Sequence, residues 1–255
     1  MSNMDVAGPA AAALSSLEAE QIIFLQSIPK AELHAHLNGS IPISVLQELA
    51  AEHISSGQLS NKFVSDESVL SGIDKLKNGV TLDKIDDFFN LFPAIYALTS
   101  TPEALRRATR AVLSTFLDGE HPQCTYLELR TTPRQNENMN REVYLRSVLT
   151  EVETYDPERS GLIVSLDRRM GEETVKECLK IALKLKEEGR RVVGLDLCGD
   201  PMAGDMNLLG PYFADAKKAG LGLTLHIAEV NFSFSSFQQR KKRITSAFAD
   251  SSEFT

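Results

Sequence analysis

The chain has 255 residues, of which 42% are apolar and 24% charged. That is the balance of an ordinary globular protein and excludes collagen, coiled coil and wholesale disorder. Lys plus Arg number 27 against 35 Asp plus Glu, for a net charge of −8. Such a surface has no long-range attraction for nucleic-acid backbones or anionic membranes, so any phosphate it binds must be held by a few local cations.

Residues 1–20 read as a flexible, Ala/Ser-rich tail. Pro9 to Leu14 is apolar for only six residues and follows an acidic start, which is a poor signal peptide. A first strand is expected at Ala31–Leu37, with Leu33, Ala35 and Leu37 packed on helices and Glu32, His34 and His36 facing inward. Pro42 to Glu52 has the apolar spacing of a helix at Val45, Leu46 and Leu49. The gap from residue 31 to residue 126 requires an inserted group of helices, with Asp66 to Gly79 its most loop-like part. Thr101-Pro102-Glu103 reads as an N-cap, a first-turn proline and an acid favourable to the helix dipole. Further strands are expected at Tyr126–Thr132, Leu162–Asp167, Val192–Cys198 and Leu221–Ala228. A helix over Val175–Glu188 is stopped by Gly189, and Lys217, Lys218 and Gly220 close another just before the fifth strand.

Strand–helix–strand alternation implies a parallel sheet with right-handed crossovers. Successive strands two to five start at residues 126, 162, 192 and 221, so one unit takes 29 to 36 residues. Eight such units make a barrel, and three more would need roughly 90 residues. From Val230 to Thr255 only 26 remain. Their composition also changes, from Asn231-Phe-Ser-Phe-Ser-Ser-Phe237 to the run Arg240-Lys-Lys-Arg243. The expected fold class is therefore α/β: an incomplete (β/α)8 TIM-type barrel with about five of eight strands and a helical insertion after the first. Residues 21–229 form its domain. Residues 230–255 are expected to be an irregular segment of different origin, such as translated intron or a shifted frame.

Cys124, Cys178 and Cys198 are too scattered for a disulfide framework or a Cys-x-x-Cys knuckle, which points to a reducing, cytoplasmic setting. No apolar run approaches the ~18 residues of a membrane helix.

His34 and His36 stand two apart on one strand, so both imidazoles can reach one metal ion. Taken alone, the pair also suits two surface histidines at a strand end. His226, near the end of the fifth strand, can supply a third nitrogen, with Glu229 three residues on. Asp167-Arg168-Arg169 and Asp196 with Gly199-Asp200 end two further strands. In parallel barrels active groups gather on that rim, and the convergence favours a shared metal site.

These residues resemble a known family. Glu32-Leu-His34-Ala-His36-Leu-Asn38-Gly-Ser40, Tyr126-Leu-Glu-Leu-Arg130-Thr-Thr-Pro-Arg134, Gly194-Leu-Asp196-Leu-Cys-Gly199-Asp200 and Leu225-His226-Ile-Ala-Glu229 are similar, in order, to motifs of the adenosine deaminase family, especially its N6-methyl-AMP deaminase branch. The resemblance runs from about Ile28 to Glu229. It implies a zinc-dependent hydrolase of purine nucleotide metabolism that removes the 6-amino substituent, with one zinc ion per chain held by His34, His36 and His226. By the same resemblance Glu229 is the catalytic acid that protonates ring nitrogen N1. His36, Asn38, Thr131, Thr132, Pro133, Arg134, Asp167 and Gly199 would form the substrate site.

Adenosine deaminases usually carry an aspartate where Asn38 stands. A carboxylate would repel a 5′-phosphate, whereas an amide can donate to one, so a nucleoside monophosphate such as N6-methyl-AMP is favoured over free adenosine. Asn38-Gly39 as a plain turn, with Arg134 as a solvated cation, is the alternative. The branch has a substrate-contacting histidine where this chain has Tyr96. The family's later His-Gly and Asp-Asp motifs have no counterpart here, since no histidine follows His226. Impaired activity, or a catalytically inactive chain that only binds metal, is therefore also expected. The partner expected is a small purine nucleotide or nucleoside, with neither nucleic acid nor membrane, and the chain is expected to be monomeric.

Overall fold

The computed structural model of the protein describes residues 12–13, 15–55, 67–78, 87 and 89–227. Five strands form one parallel sheet in the order β1-β2-β3-β4-β5: β1 (Ala31–His36), β2 (Tyr126–Thr131), β3 (Ser160–Asp167), β4 (Val192–Cys198) and β5 (Gly222–Leu225). With the helices flanking it, this sheet is a half-barrel of the TIM type, as the alternating pattern predicts. The strand ends at which parallel barrels carry their sites all lie on one rim.

Helix starts and stops follow local chemistry. In α6 (Pro102–Leu117) the Thr101 side chain accepts a hydrogen bond from the Ala104 amide at 3.2 Å, and Pro102 occupies the first turn. The crossover α7 (Arg141–Val152) is capped by Asn140, whose Oδ1 accepts from the Val143 amide at 2.8 Å. α8 (Glu172–Glu187) has acids in its first turn and lysines in its last, which complements its dipole, and Gly189 follows at φ +77°. α9 (Met206–Lys218) is capped by Asp205 and followed by Gly220 at φ +76°. Leu127, Leu129, Leu162, Val164, Leu195 and Leu197 of the strands are buried with Leu105, Val112, Tyr144, Leu149, Cys178, Leu185 and Phe213 of these helices. That apolar layer fixes each strand end relative to its neighbours.

Further helices are α1 (Ala19–Ser27), α2 (Leu37–Ser40), α3 (Ile43–Ser55), α4 (Glu67–Asn78) and α5 (Phe92–Leu98). Four of them, α2 to α5, precede α6 in the insertion expected after β1. α1 begins at the border drawn near residue 20. Two local expectations are corrected. Asp66 to Gly79 holds the helix α4, with Val69, Ile73 and Leu76 buried along one face and Gly72 against Ala94. A Cβ on Gly72 would lie 2.6 Å from the Ala94 Cβ, so this glycine is a close-contact point. Leu33 is 51% exposed and does not pack on the helices. The parallel register pairs Glu32 with Leu127 but Ala35 with Leu129, so β1 carries one extra residue there. That bulge reverses the strand's alternation.

No helix of the described residues is long and apolar enough to cross a membrane. All three cysteines are free and buried. Residues 230–255 lie outside the described residues.

Candidate metal centre

β1 ends at His36 and β5 at Leu225, one residue before His226. The His226 amide continues the sheet ladder by donating to the Leu197 carbonyl at 2.9 Å. The bulge at Leu33–His34 and this extension bring three imidazoles to one point. His226 Nε2 lies 2.8 Å from His34 Nε2 and 3.1 Å from His36 Nε2, and all three nitrogens fall within 4.8 Å of one another. A ring nitrogen carries either one in-plane lone pair or one hydrogen, so His226 Nε2 cannot make two good hydrogen bonds of this kind. One cation can accept three lone pairs.

The opposite edge of His226 settles which nitrogen is free. Its Nδ1 lies 2.8 Å from the Leu197 carbonyl and 3.1 Å from Asp196 Oδ1, both acceptors, so Nδ1 carries a hydrogen and the neutral ring has its lone pair on Nε2. Burial, with the Arg130 guanidinium and then His226, lowers the His34 pKa. Burial, opposed by the Asp196 carboxylate and aided by His226 and Arg130, takes His36 down to about 4. Both rings are therefore neutral at pH 7, the form that ligates. Three imidazoles on a strand-end rim, with the Nδ1 edge of His226 held from behind by Leu197 and Asp196, fit a divalent metal ion.

Beneath the cluster lies a buried polar network. Arg130 of β2, 5% exposed, donates through Nη1 to Asp196 Oδ1 at 3.1 Å and to Thr224 Oγ1 at 2.8 Å, and through Nη2 to the Leu33 carbonyl. Thr224 in turn donates to Asp196 Oδ1 at 3.0 Å. Arg168, at the end of β3, donates to the His226 carbonyl at 2.6 Å. Arg130 stands inside one quoted motif and Thr224 directly before another, but the sequence alone assigns neither a role at the site.

A second cluster lies on the same rim. Asn38 is buried; its Oδ1 accepts from the Tyr144 hydroxyl at 3.3 Å, and its Nδ2 is buried with no hydrogen-bond partner. The Tyr144 oxygen lies 2.8 Å from Thr131 Oγ1, and burial pushes that phenol up to about 12. Tyr144 was not foreseen, although a tyrosine in the apolar stripe of α7 signals that its hydroxyl needs a partner. Thr132 Oγ1 is 3.6 Å from Cys198 Sγ, and Pro133 is buried. The Arg134 guanidinium carbon lies 3.1 Å from the centre of the Tyr96 ring. Among the described residues no carboxylate lies within ion-pair distance of Arg134, and its Nε is buried without a hydrogen-bond partner.

Asp167 accepts from the Arg169 amide at 2.8 Å and from its guanidinium at 2.9 and 2.6 Å. Burial works against this carboxylate, but those bonds, with the nearby charge of Arg134, hold its pKa below the ordinary value. Gly199 follows β4 at φ +91°, and a Cβ there would lie 2.4 Å from Asp167 Oδ1. The structure thus brings His34, His36 and His226 together, and gathers Asn38 with Thr131, Arg134 with Tyr96, and Asp167 with Gly199. Glu229 lies outside the described residues.

The family model for adenosine deaminase matches residues 29–238, nine residues beyond the last motif read from the sequence. The chain is 35% identical over 215 residues to the human N6-methyl-AMP deaminase, covering 81% of this chain and 56% of that protein. It is 34% identical to an adenosine deaminase-like protein of Caenorhabditis elegans, over 80% of this chain and 50% of that one. Among solved structures, an Arabidopsis ADAL complexed with IMP superposes with a TM-score of 0.66 at 32% identity, covering 86% of this chain and 63% of that one. The chain spans about half the length of the curated relatives it matches. Over that span the family match and the imidazole geometry coincide, and the chain belongs to the adenosine deaminase family.

Proposed function

We propose that this protein carries the metal-binding half of a zinc-dependent deaminase that hydrolyses the 6-substituent from a purine nucleoside monophosphate, with N6-methyl-AMP as the favoured substrate. His34, His36 and His226 would hold the zinc ion. When bound, zinc supplies the Lewis acidity that makes water a competent nucleophile at neutral pH. The observation that carries the reading is the convergence of three Nε2 atoms whose tautomer is set, at His226, by Leu197 and Asp196.

The remaining roles belong to the chain's own residues. Glu229 donates a proton to N1 of the purine, which a carboxyl group can do when a water-poor site raises its pKa. The backbone at Gly199 approaches the base, and Asp167 beside it binds the nucleotide. Asn38, Thr131, Thr132 and Pro133 shape the sugar-phosphate end, where the unpaired Nδ2 of Asn38 is a donor in search of an acceptor. Arg134, which lies over the Tyr96 ring and has no carboxylate at ion-pair distance among the described residues, is the local cation that a net charge of −8 makes necessary for a phosphate. The names of the human relative and of the IMP complex support a nucleotide over a nucleoside.

A second reading is that these residues bind metal without turnover, which needs only the three converging imidazoles. Zinc content measured together with the ultraviolet change on adding N6-methyl-AMP, AMP or adenosine separates the readings. Stoichiometric zinc with turnover of the monophosphates supports the first. Zinc without turnover supports the second, and faster turnover of adenosine contradicts the nucleotide assignment.

A further inference from the structure

We infer that Arg130 is a positioning residue of the metal centre, tying the strand that carries His34 and His36 to the strand end that carries His226. The inference rests on the metal-binding reading of the three histidines. In the sheet order β1 and β5 stand at opposite edges, separated by three strands, and share no backbone ladder. Their relative placement therefore depends on side chains that cross the concave interior. Arg130 is one such side chain. One Nη bonds the carbonyl of Leu33, the residue next to His34 within the β1 bulge. The other bonds Asp196 Oδ1 and Thr224 Oγ1. Asp196 holds the Nδ1 edge of His226, and Thr224 lies two residues before that ligand.

The register sharpens the point. His36 stands beside Arg130 across the β1–β2 ladder, and Asp196 stands beside Thr224 across the β4–β5 ladder. One planar guanidinium thus reaches both halves of the ligand set. A bulge carbonyl in a strand has lost its ladder partner and needs another donor, which Arg130 provides. A buried ion pair such as Arg130–Asp196 contributes little net stability compared with a well-packed apolar pair, so its geometry is the feature to explain. Lysine could keep the charge but not the fork whose two terminal nitrogens reach three acceptors.

The test uses the full chain, loaded with zinc or with cobalt(II), and the variants Arg130→Lys and Thr224→Val. Zinc affinity is measured by competition with a chelating dye, and ligand geometry by the visible absorption of the cobalt form. Arg110→Met serves as a control, because it breaks the ion pair to buried Glu151 on the outer helices, away from the histidines. Wild type should bind one zinc. Arg130→Lys should weaken zinc by about 10- to 100-fold and change the cobalt spectrum. Thr224→Val, which is nearly isosteric, should weaken it by about two- to tenfold, and Arg110→Met should change neither readout. Wild-type affinity and an unaltered cobalt spectrum in both Arg130→Lys and Thr224→Val would overturn the positioning role. A wild-type chain that takes up no zinc would instead overturn the metal-centre reading, and this inference with it.

Discussion

Gly199 and Asp167 stand so close that no side chain fits between them: a Cβ on Gly199 would fall 2.4 Å from Asp167 Oδ1. The backbone there also has φ +91°, a conformation costly for any L residue with a Cβ. Gly199→Ala should therefore lose about 1–3 kcal/mol of stability, read as a lower urea midpoint. It should also displace Asp167 and weaken nucleotide binding, measured by calorimetry. Wild-type stability in this variant would show that the loop relaxes freely.

The stack of Arg134 on Tyr96 predicts a selective effect. Tyr96→Leu removes the ring face beneath the guanidinium and should cost IMP binding about 0.5–2 kcal/mol, while inosine binding stays unchanged. Tyr96→Phe keeps the ring and should keep most of the affinity. Equal losses for IMP and inosine would place Tyr96 at the base and not at the phosphate end.

Burial raises the pKa of all three thiols, Cys178 to about 11 and Cys198 to about 12, with Cys124 shifted the same way. A folded pKa above the unfolded value means that the folded form keeps its proton when the unfolded chain has lost it. The stability held below about pH 9 is then lost as pH rises toward 11–12. The urea midpoint should therefore fall above pH 9, and Cys198→Ala should fall less steeply than wild type. Iodoacetamide should leave the native thiols unmodified at pH 7.5 and label three after unfolding. Rapid native labelling at Cys198 would contradict the burial of that strand end.

The large features of this fold were legible because they are periodic. Short apolar runs spaced 29 to 36 residues apart gave the strands, and the His-x-His pair announced itself by spacing. What periodicity cannot register is an insertion of one residue. Strict alternation puts Leu33 on the helix-facing side, because the bulge between Glu32 and Ala35 leaves no mark in the residue types. The helix α4 was hidden for another reason: its stripe of Val69, Ile73 and Leu76 is thin among charged residues and interrupted by Gly72, whose role is visible only against Ala94. Arg130 has no role assignable from the sequence, because its three acceptors come from β1, β4 and β5 and meet only in the folded chain. Asn38 with its neutral amide was legible one residue at a time, whereas Tyr144, its hydrogen-bond partner from α7, needed the folded chain.

The centre itself is tested most directly by X-ray absorption at the zinc edge of the zinc-loaded chain. The geometry predicts nitrogen or oxygen neighbours at about 2.0–2.1 Å, with more distant scattering from three imidazoles that drops to two in His226→Ala. Sulfur at about 2.3 Å, or an imidazole count unchanged in that variant, would contradict a site built from His34, His36 and His226.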